Sequence, residues 1–220
     1  QNRQNLPILG PVTLAGLTIS EANDYLAKKV SSELSGTEVV FTLKELRSIN
    51  IYVLGEAYKP GAYTVSSLSS ITNILFLSGG VNEQGSLRNI EVKRKGKTIK
   101  TFDLYDLLLK GNTSNDTHLE QGDVVFIPFL ENKVLLSGSF KRPFLYEFKE
   151  GETVEDAIAL AGGFNSEVSG KPRLELSFID SNTNTRNINY FNGLSPDFLQ
   201  RTLNNSDSIN VSEINGLKSE

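Results

Sequence analysis

Apolar and polar residues alternate through residues 49–55 and again through 62–65, and this period of two predicts a pair of adjacent strands. Residues 56–61 between them have the composition of a turn. In that turn Pro60 fixes its own φ, and Gly61 is able to take a positive φ.

After the second strand the apolar spacing changes to that of a short helix, for which Ser69 or Ser70 can provide the N-cap. Gly79 follows the helix, and we expect it to end the helix in the left-handed conformation. The apolar residues that we expect to face the core are Ile71, Ile74, Leu75 and Leu77.

Four more elements follow before the pattern starts again. Residues 90–94 and 98–102 alternate on either side of Lys-Gly-Lys at 95–97, which predicts a hairpin. Residues 103–109 then predict a short helix, and residues 124–127 a closing strand.

The segment 51–80 occurs a second time as 134–163, in ungapped register. The matched residues are each 83 positions apart, which indicates an internal repeat. We interpret the following turn and cap positions as structural signatures of the repeated unit: Gly55, Pro60, Gly61, Gly79 and Gly80 in the first copy, and Gly138, Pro143, Gly162 and Gly163 in the second.

The second copy departs from the first at one turn position, where Phe144 replaces Gly61. We therefore expect a turn of a different type there. A Thr153–Asp156 capping pattern predicts the helix of this copy. The remaining predictions are strands at 134–138, 144–148, 174–178, 186–190 and 209–211, and a short helix at 197–203.

Residues 1–46 precede the repeats and have a different pattern. Two short strands are predicted at 6–10 and 11–14, a helix with a Thr18–Glu21 capping box at 19–34, and a strand at 39–43. We therefore divide the chain into 1–46, a first repeat at 47–130 and a second repeat at 131–220. Each repeat has several strands and one main helix, which predicts an α+β fold of tandem β-grasp domains, each a small mixed sheet with one packed helix.

Composition narrows the possible functions. The 220 residues carry a net charge of −4, so nothing favours nucleic acid as a partner. The absence of cysteine excludes disulfides and thiol chemistry within this sequence. No apolar run of about 18 residues predicts a membrane span. The sequence contains no methionine, and we expect it to be a processed or trimmed product.

The pattern V-x-G-x-x-x-x-P-G-x-Y, followed by a capped helix and A-G-G, resembles the SLBB domain, a soluble-ligand-binding β-grasp. The first repeat supplies Val53, Gly55, Pro60, Gly61, Tyr63, Gly79 and Gly80. The second supplies Gly138, Pro143, Tyr146, Ala161, Gly162 and Gly163. Residues 6–30 resemble the end of the polysaccharide-export N-terminal domain, which precedes SLBB repeats in that family.

This resemblance implies an outer-membrane polysaccharide-export protein of a Gram-negative bacterium. Such proteins form ring-shaped homo-oligomers in the periplasm and conduct capsule polysaccharide or exopolysaccharide outward. They work with an inner-membrane copolymerase. A lipid-anchored cysteine and a C-terminal amphipathic helix usually connect them to the outer membrane, and neither occurs in this sequence.

We predict no catalytic, cofactor-binding or metal-binding residues. His118, the only histidine, lies in a polar turn, and the sequence has no nucleophile elbow and no metal-binding motif. A glycan hydrolase would need a pair of carboxylates facing one cleft. Acidic residues that could supply such a pair are Glu147, Glu150, Glu152, Glu155 and Asp156.

Several exposed-looking residues are candidates for contacts with a glycan or with a neighbouring subunit. They are Tyr58 and Lys59 in the first turn, Lys141 and Arg142 in the second, and Lys93, Arg94 and Lys95 in the hairpin, whose basic character Lys97 and Lys100 extend. A basic hairpin is also typical of a solvated, edge-protecting strand, which we favour for this one. For the aromatic residues Tyr52, Tyr58, Tyr63, Phe144 and Tyr146 we favour core packing and subunit contact over stacking on sugars.

Three hypotheses follow from the sequence. The leading one is a non-enzymatic structural component of a polysaccharide-export channel. The alternative is a monomeric module that binds a soluble glycan or another small ligand. The third is a glycan hydrolase.

Overall fold

A computed structural model describes residues 3–6, 10–14, 16–33, 47–166, 168, 172–180 and 182–212. The chain divides into two compact units, Gln1–Arg47 and Ser48–Glu220. The second unit contains both copies of the repeat. Among the helices in the described ranges, none has the length and apolar character needed to cross a membrane.

The described residues of the first unit form two antiparallel strands and a helix. Strand β1 (Arg3–Leu6) pairs with β2 (Gly10–Thr13), so both strands lie slightly earlier in the chain than predicted. Helix α1 (Ile19–Glu33) begins with the predicted capping box, in which the Thr18 N–H donates to Glu21 Oε2 at 2.8 Å. The predicted strand at 39–43 lies outside the described residues.

The first repeat forms a five-stranded mixed sheet in the order β4-β3-β7-β5-β6. The central pair β3 and β7 is parallel, and the other pairs are antiparallel. Its elements are β3 (Ser48–Gly55), β4 (Gly61–Ser66), α2 (Ile71–Leu77), β5 (Ile90–Arg94), β6 (Lys97–Phe102), α3 (Leu104–Lys110) and β7 (Val124–Ile127).

The second repeat has the same topology, with the strand order β11-β10-β12-β8-β9 and a parallel pair formed by β8 and β12. Two mixed sheets with a few helices confirm the predicted α+β fold of tandem domains. The elements are β8 (Lys133–Gly138), β9 (Phe144–Glu147), α4 (Val154–Leu160), β10 (Arg173–Asp180), β11 (Thr185–Asn192), α5 (Pro196–Leu199) and β12 (Ser208–Ser212).

Helices α2 and α4 each cover one face of their sheet. Ser70 and Thr153 provide the N-caps, and both form capping boxes with the residue three positions later. The predicted core face of α2 is wrong at one position. Ile71, Ile74 and Leu75 are buried, whereas Leu77 lies in the last turn and is exposed.

The prediction of two different turn types is also wrong. Gly61 is able to take a positive φ but does not, because the chain is already extended where β4 begins. Its counterpart Phe144 begins β9 in the same way, so the two turns are of one type. The equivalent bridges Ala57–Val81 and Phe140–Phe164 close both turns.

Candidate functional site: the joint between the repeats

Gly55 and Gly138 lie where the chain passes closest to the neighbouring parallel strand. Both have a positive φ, 78° and 82°. A Cβ at Gly55 would lie 2.1 Å from the Ile127 carbonyl oxygen, and one at Gly138 would lie 2.1 Å from that of Val211. Any side chain at either position would therefore collide with backbone and strain its own φ.

The glycine pairs after α2 and α4 end both helices with the same motif. The Gly80 N–H donates to the Leu75 carbonyl at 2.8 Å, and the Gly163 N–H donates to that of Ile158 at 2.9 Å. Gly79 and Gly162 precede them with positive φ. A hydrogen bond of this kind, next to a glycine with a positive φ, is characteristic of a Schellman motif at a helix C-terminus. These glycines therefore end the two helices.

The turn tyrosines hold the turns through their hydroxyl groups. Tyr63 donates to the Lys59 carbonyl at 2.6 Å, and Tyr146 donates to the Arg142 carbonyl at 2.7 Å. The Arg142 guanidinium also donates to the Leu160 carbonyl at 2.9 Å, at the end of α4.

The other residues considered for contacts at these turns are exposed. Tyr58 and Phe144 expose 66% and 69% of their surface, and Lys141 is also exposed. The turn backbones are therefore held by a half-buried Tyr63 and a buried Tyr146, and several side chains beside them are mostly exposed, although Phe144 meets the Tyr146 ring edge to face.

Part of the basic hairpin is engaged within the protein. Arg94 forms a two-pronged ion pair with Asp123, at 2.8 and 2.9 Å. Lys93 Nζ lies 2.7 Å from Glu91 and 4.4 Å from the centre of the Phe126 ring. Lys95 adopts a positive φ in the hairpin turn itself. Strand β6, which carries Lys97 and Lys100, is the edge strand, so the edge-protecting interpretation applies to β6 and stays a prediction.

Asp123 and Asp207 precede the closing strands of the two repeats, and both are fully buried. Burial alone would raise the pKa of Asp123, but hydrogen bonds from Arg94 and from the Glu120 N–H hold that pKa below its ordinary value. Burial raises the pKa of Asp207, whose nearest cation, Arg201, is 3.6 Å away.

The most extensive polar network lies at the joint, which we define as the contact between the β5 and α3 region of the first repeat and the β9 and α4 region of the second. Glu147 in β9 is buried there. Its Oε2 accepts the Leu87 N–H at 2.7 Å and the Arg88 N–H at 3.1 Å, while Oε1 accepts the Ser86 hydroxyl. One carboxylate of the second repeat thus satisfies three donors of the first.

Arg88 crosses the joint in the opposite direction. Its guanidinium donates to Glu152 at 2.6 and 2.8 Å, to Asp103 at 3.2 Å and to the Glu147 carbonyl at 3.2 Å. Lys149 joins Asp103 at 2.7 Å. Burial opposes the charge of Arg88, but the bonds to Glu152 and the Asp103 charge outweigh it and raise the pKa.

Tyr105 in α3 provides the apolar part of the joint. It is buried among the core residues of the second repeat and meets Tyr146 edge to face, with the ring centres 6.4 Å apart. Its hydroxyl accepts the Glu147 N–H at 3.0 Å, and burial raises the pKa of that hydroxyl. Leu87 packs against both cores. The cores of the two repeats therefore meet at these residues.

Four of the five acidic residues considered for hydrolysis have other partners, and the fifth, Glu150, is exposed. Glu147 and Glu152 are engaged at the joint, Asp156 caps α4, and Glu155 accepts from Gln200. His118 Nδ1 lies 2.9 Å from the Leu68 carbonyl oxygen. In the described ranges, no group of three or more acidic or histidine side chains has the geometry to hold a metal.

The joint is not predicted by the repeat pattern. The sequence does indicate it at two positions where the copies differ. Glu147 and Glu152 of the second copy correspond to Thr64 and Ser69 of the first, which lie 83 residues earlier. Both carboxylates are present in the second copy only, as a contact made by that copy with the first requires.

Family comparisons agree with the two repeats. One family model of the SLBB domain matches residues 50–127, and a second matches residues 133–173.

Two curated relatives are similar over longer stretches. The polysialic acid transport protein KpsD of Escherichia coli is 30% identical over 159 residues, which cover 71% of this chain and 28% of KpsD. The EPS I polysaccharide export outer membrane protein EpsA of Ralstonia solanacearum is 29% identical over 171 residues, covering 76% of this chain and 45% of EpsA. The chain therefore spans less than half of the length of either relative.

Proposed function

Because this chain belongs to the SLBB-domain family of polysaccharide-export proteins, we propose that it is a non-enzymatic structural component of an assembly that exports capsule polysaccharide or exopolysaccharide. The observation that carries the proposal is the similarity to KpsD and EpsA, which extends over more residues than either repeat contains. Both relatives are named as transport or export proteins, which supports a function without catalysis.

The proposed mechanism is geometric. Several copies of the full-length protein form a ring, the repeats form layers of its wall, and the polymer passes through the lumen. The joint supports this arrangement, because Arg88, Glu147 and Tyr105 fix one layer relative to the next. A wall made of layers that moved independently would not keep a lumen of constant width.

The proposed place of action is the periplasm at the outer membrane. The name of EpsA as an outer membrane protein supports this location. An inner-membrane copolymerase would deliver the polymer to the ring, and segments beyond this sequence would contact the membrane.

Complementation tests the function. Cells lacking the full-length protein should make polymer without exposing it on the surface, and expression of the protein should restore surface polymer. Normal surface polymer in the deletion strain would refute the proposal. Mass measurement of the detergent-extracted full-length protein tests the ring, and a monomer at high concentration would refute that part alone.

A further inference from the structure

A cleft of about 450 Å³ opens beside the joint, on the side where the linker between the repeats passes. This volume lies within the range of about 300–1,000 Å³ that is typical of small-molecule sites. The cleft has buried charges at its base and uncharged polar groups and carboxylates around its rim. Its lining includes Arg88, Asn89, Thr101, Phe129, Glu131, Asn132, Glu147, Lys149 and Glu150.

Phe129 is the exposed aromatic residue of this cleft, with 60% of its surface accessible. Its backbone is nevertheless held firmly. Phe129 forms a bridge with Gly85, the Ser86 N–H donates to the Pro128 carbonyl at 2.8 Å, and the Leu130 N–H donates to the Gln84 carbonyl at 2.7 Å. Folding thus fixes the backbone that carries this phenyl ring without burying the ring, which leaves its face available to a ligand.

The cations and the carboxylates of the cleft differ in their availability. Arg88 and Lys149 are both paired with Asp103, and Arg88 also with Glu152. Glu131 and Glu150 have no ion pair or side-chain hydrogen bond with any described residue, and both are exposed. The available charge in the cleft is therefore negative, which disfavours an anionic ligand.

The uncharged polar groups point to the class of ligand. The side chains of Asn89, Thr101 and Asn132 line the cleft, and none of them donates to or accepts from another described side chain. Amides, hydroxyls and free carboxylates together offer many donors and acceptors for neutral hydroxyl groups. An aromatic face complements the C–H face of a sugar ring, since the face of the ring is electron-rich.

We propose that this cleft binds uncharged saccharide units, with one sugar ring on Phe129 and its hydroxyl groups on Glu131, Asn132 and Glu150. The inference deepens the proposed function and rests on it only for the source of the saccharide, which would be the exported polymer.

A unique fluorophore can test this directly, because the chain contains no tryptophan. Phe129→Trp places an indole in the cleft, and Phe76→Trp places one at a similarly exposed position on α2, outside the cleft lining. The probes are uncharged hexasaccharides of glucose, galactose and mannose, and a galacturonate hexasaccharide of the same length. At least one uncharged probe should change the emission of Phe129→Trp saturably and leave Phe76→Trp unchanged.

Calorimetry on the parent protein and on Phe129→Ala provides the second measurement. The substitution should weaken saccharide binding at least tenfold and leave the unfolding midpoint unchanged, because the ring is mostly exposed. The site is refuted if no uncharged probe binds or if Phe129→Ala binds equally well. Tighter binding of the galacturonate would refute the assigned ligand class. If no uncharged saccharide binds but complementation succeeds, the proposed saccharide site is refuted and the export function is not. If complementation fails, the export function is refuted, regardless of the binding results.

Discussion

Replacement of Arg88 by Met is the most direct perturbation of the joint. The substitution keeps an unbranched apolar stem and removes a guanidinium that makes four hydrogen bonds, three of them to carboxylates of Asp103 and Glu152. Removing one partner of a buried ion pair typically costs about 3–5 kcal/mol, because the other charges stay behind without compensation. Here Asp103 keeps Lys149, and Glu152 is partly exposed, so we expect the lower end, about 3 kcal/mol.

The joint also predicts the form of the unfolding transition. Single tryptophans at Phe126 in the first repeat and Phe178 in the second, introduced in separate proteins, report each repeat during urea denaturation. Both reporters should give the same midpoint in the parent background, because the cores of the two repeats meet at Tyr105 and Leu87. In the Arg88→Met background the midpoints should fall and separate.

Two further variants make this test specific. Lys110→Met removes an exposed pair with Asp106 on α3 and should change stability by less than about 0.5 kcal/mol. Arg88→Lys keeps the positive charge but loses the planar guanidinium. It should therefore restore only part of the free energy of unfolding that Arg88→Met loses. The reasoning would be refuted if the free energy of unfolding of Arg88→Met lay within about 1 kcal/mol of the parent value and both reporters still gave the same midpoint. The joint would then not couple the unfolding of the two repeats.

The remaining predictions concern the equivalent positions of the two repeats. Gly55→Ala and Gly138→Ala should each cost about 3 kcal/mol or more, measured by chemical denaturation, because the new Cβ strains φ and meets a backbone carbonyl; unchanged stability would contradict the close approach. Asp123→Asn should cost about 2 kcal/mol at neutral pH. That deficit should shrink as the pH falls, because the pKa of Asp123 is lowered and its stabilisation is lost on protonation. Asp207→Asn should be neutral or stabilising at pH 7. Any gain in stability should vanish at acidic pH. The pKa of Asp207 is raised, so its buried carboxyl group destabilises the fold only when it is ionised. Equal pH dependence of the two variants would contradict these assignments. His118→Ala should leave complementation intact, and loss of export at normal protein levels would revive an enzymatic role.

Much of the fold could be predicted from sequence because the repeat encodes it locally. The capping residues Ser70 and Thr153 and the glycines after α2 and α4 specify where each helix begins and ends. Turn geometry was less predictable. Pro60-Gly61 has the composition of a turn that needs a positive φ, but the residue that needs one is Gly55, because of a neighbouring strand 72 positions away in sequence at Ile127.

The joint could not be predicted from periodicity because it depends on contacts between residues 42 to 64 positions apart. Arg88 reads as a loop cation, and Tyr105 as part of a short amphipathic helix of its own repeat. Only the packing of the repeats places the tyrosine in the core of its neighbour and the arginine among three acidic residues. Repeats reveal what two copies have in common, whereas the contact between them depends on residues that differ.

Because of that difference, the two repeats present different side chains at equivalent surfaces. The acceptors of the joint, Glu147 and Glu152, correspond to Thr64 and Ser69 in the first repeat. A preceding domain that presented an arginine as Arg88 does would find no carboxylate at those two positions. The chemistry of the joint therefore cannot be repeated at the other end of the tandem, and any domain that packs there must use different contacts. In a layered wall this would fix the order of the layers as well as their spacing, since each interface would accept only its own neighbour.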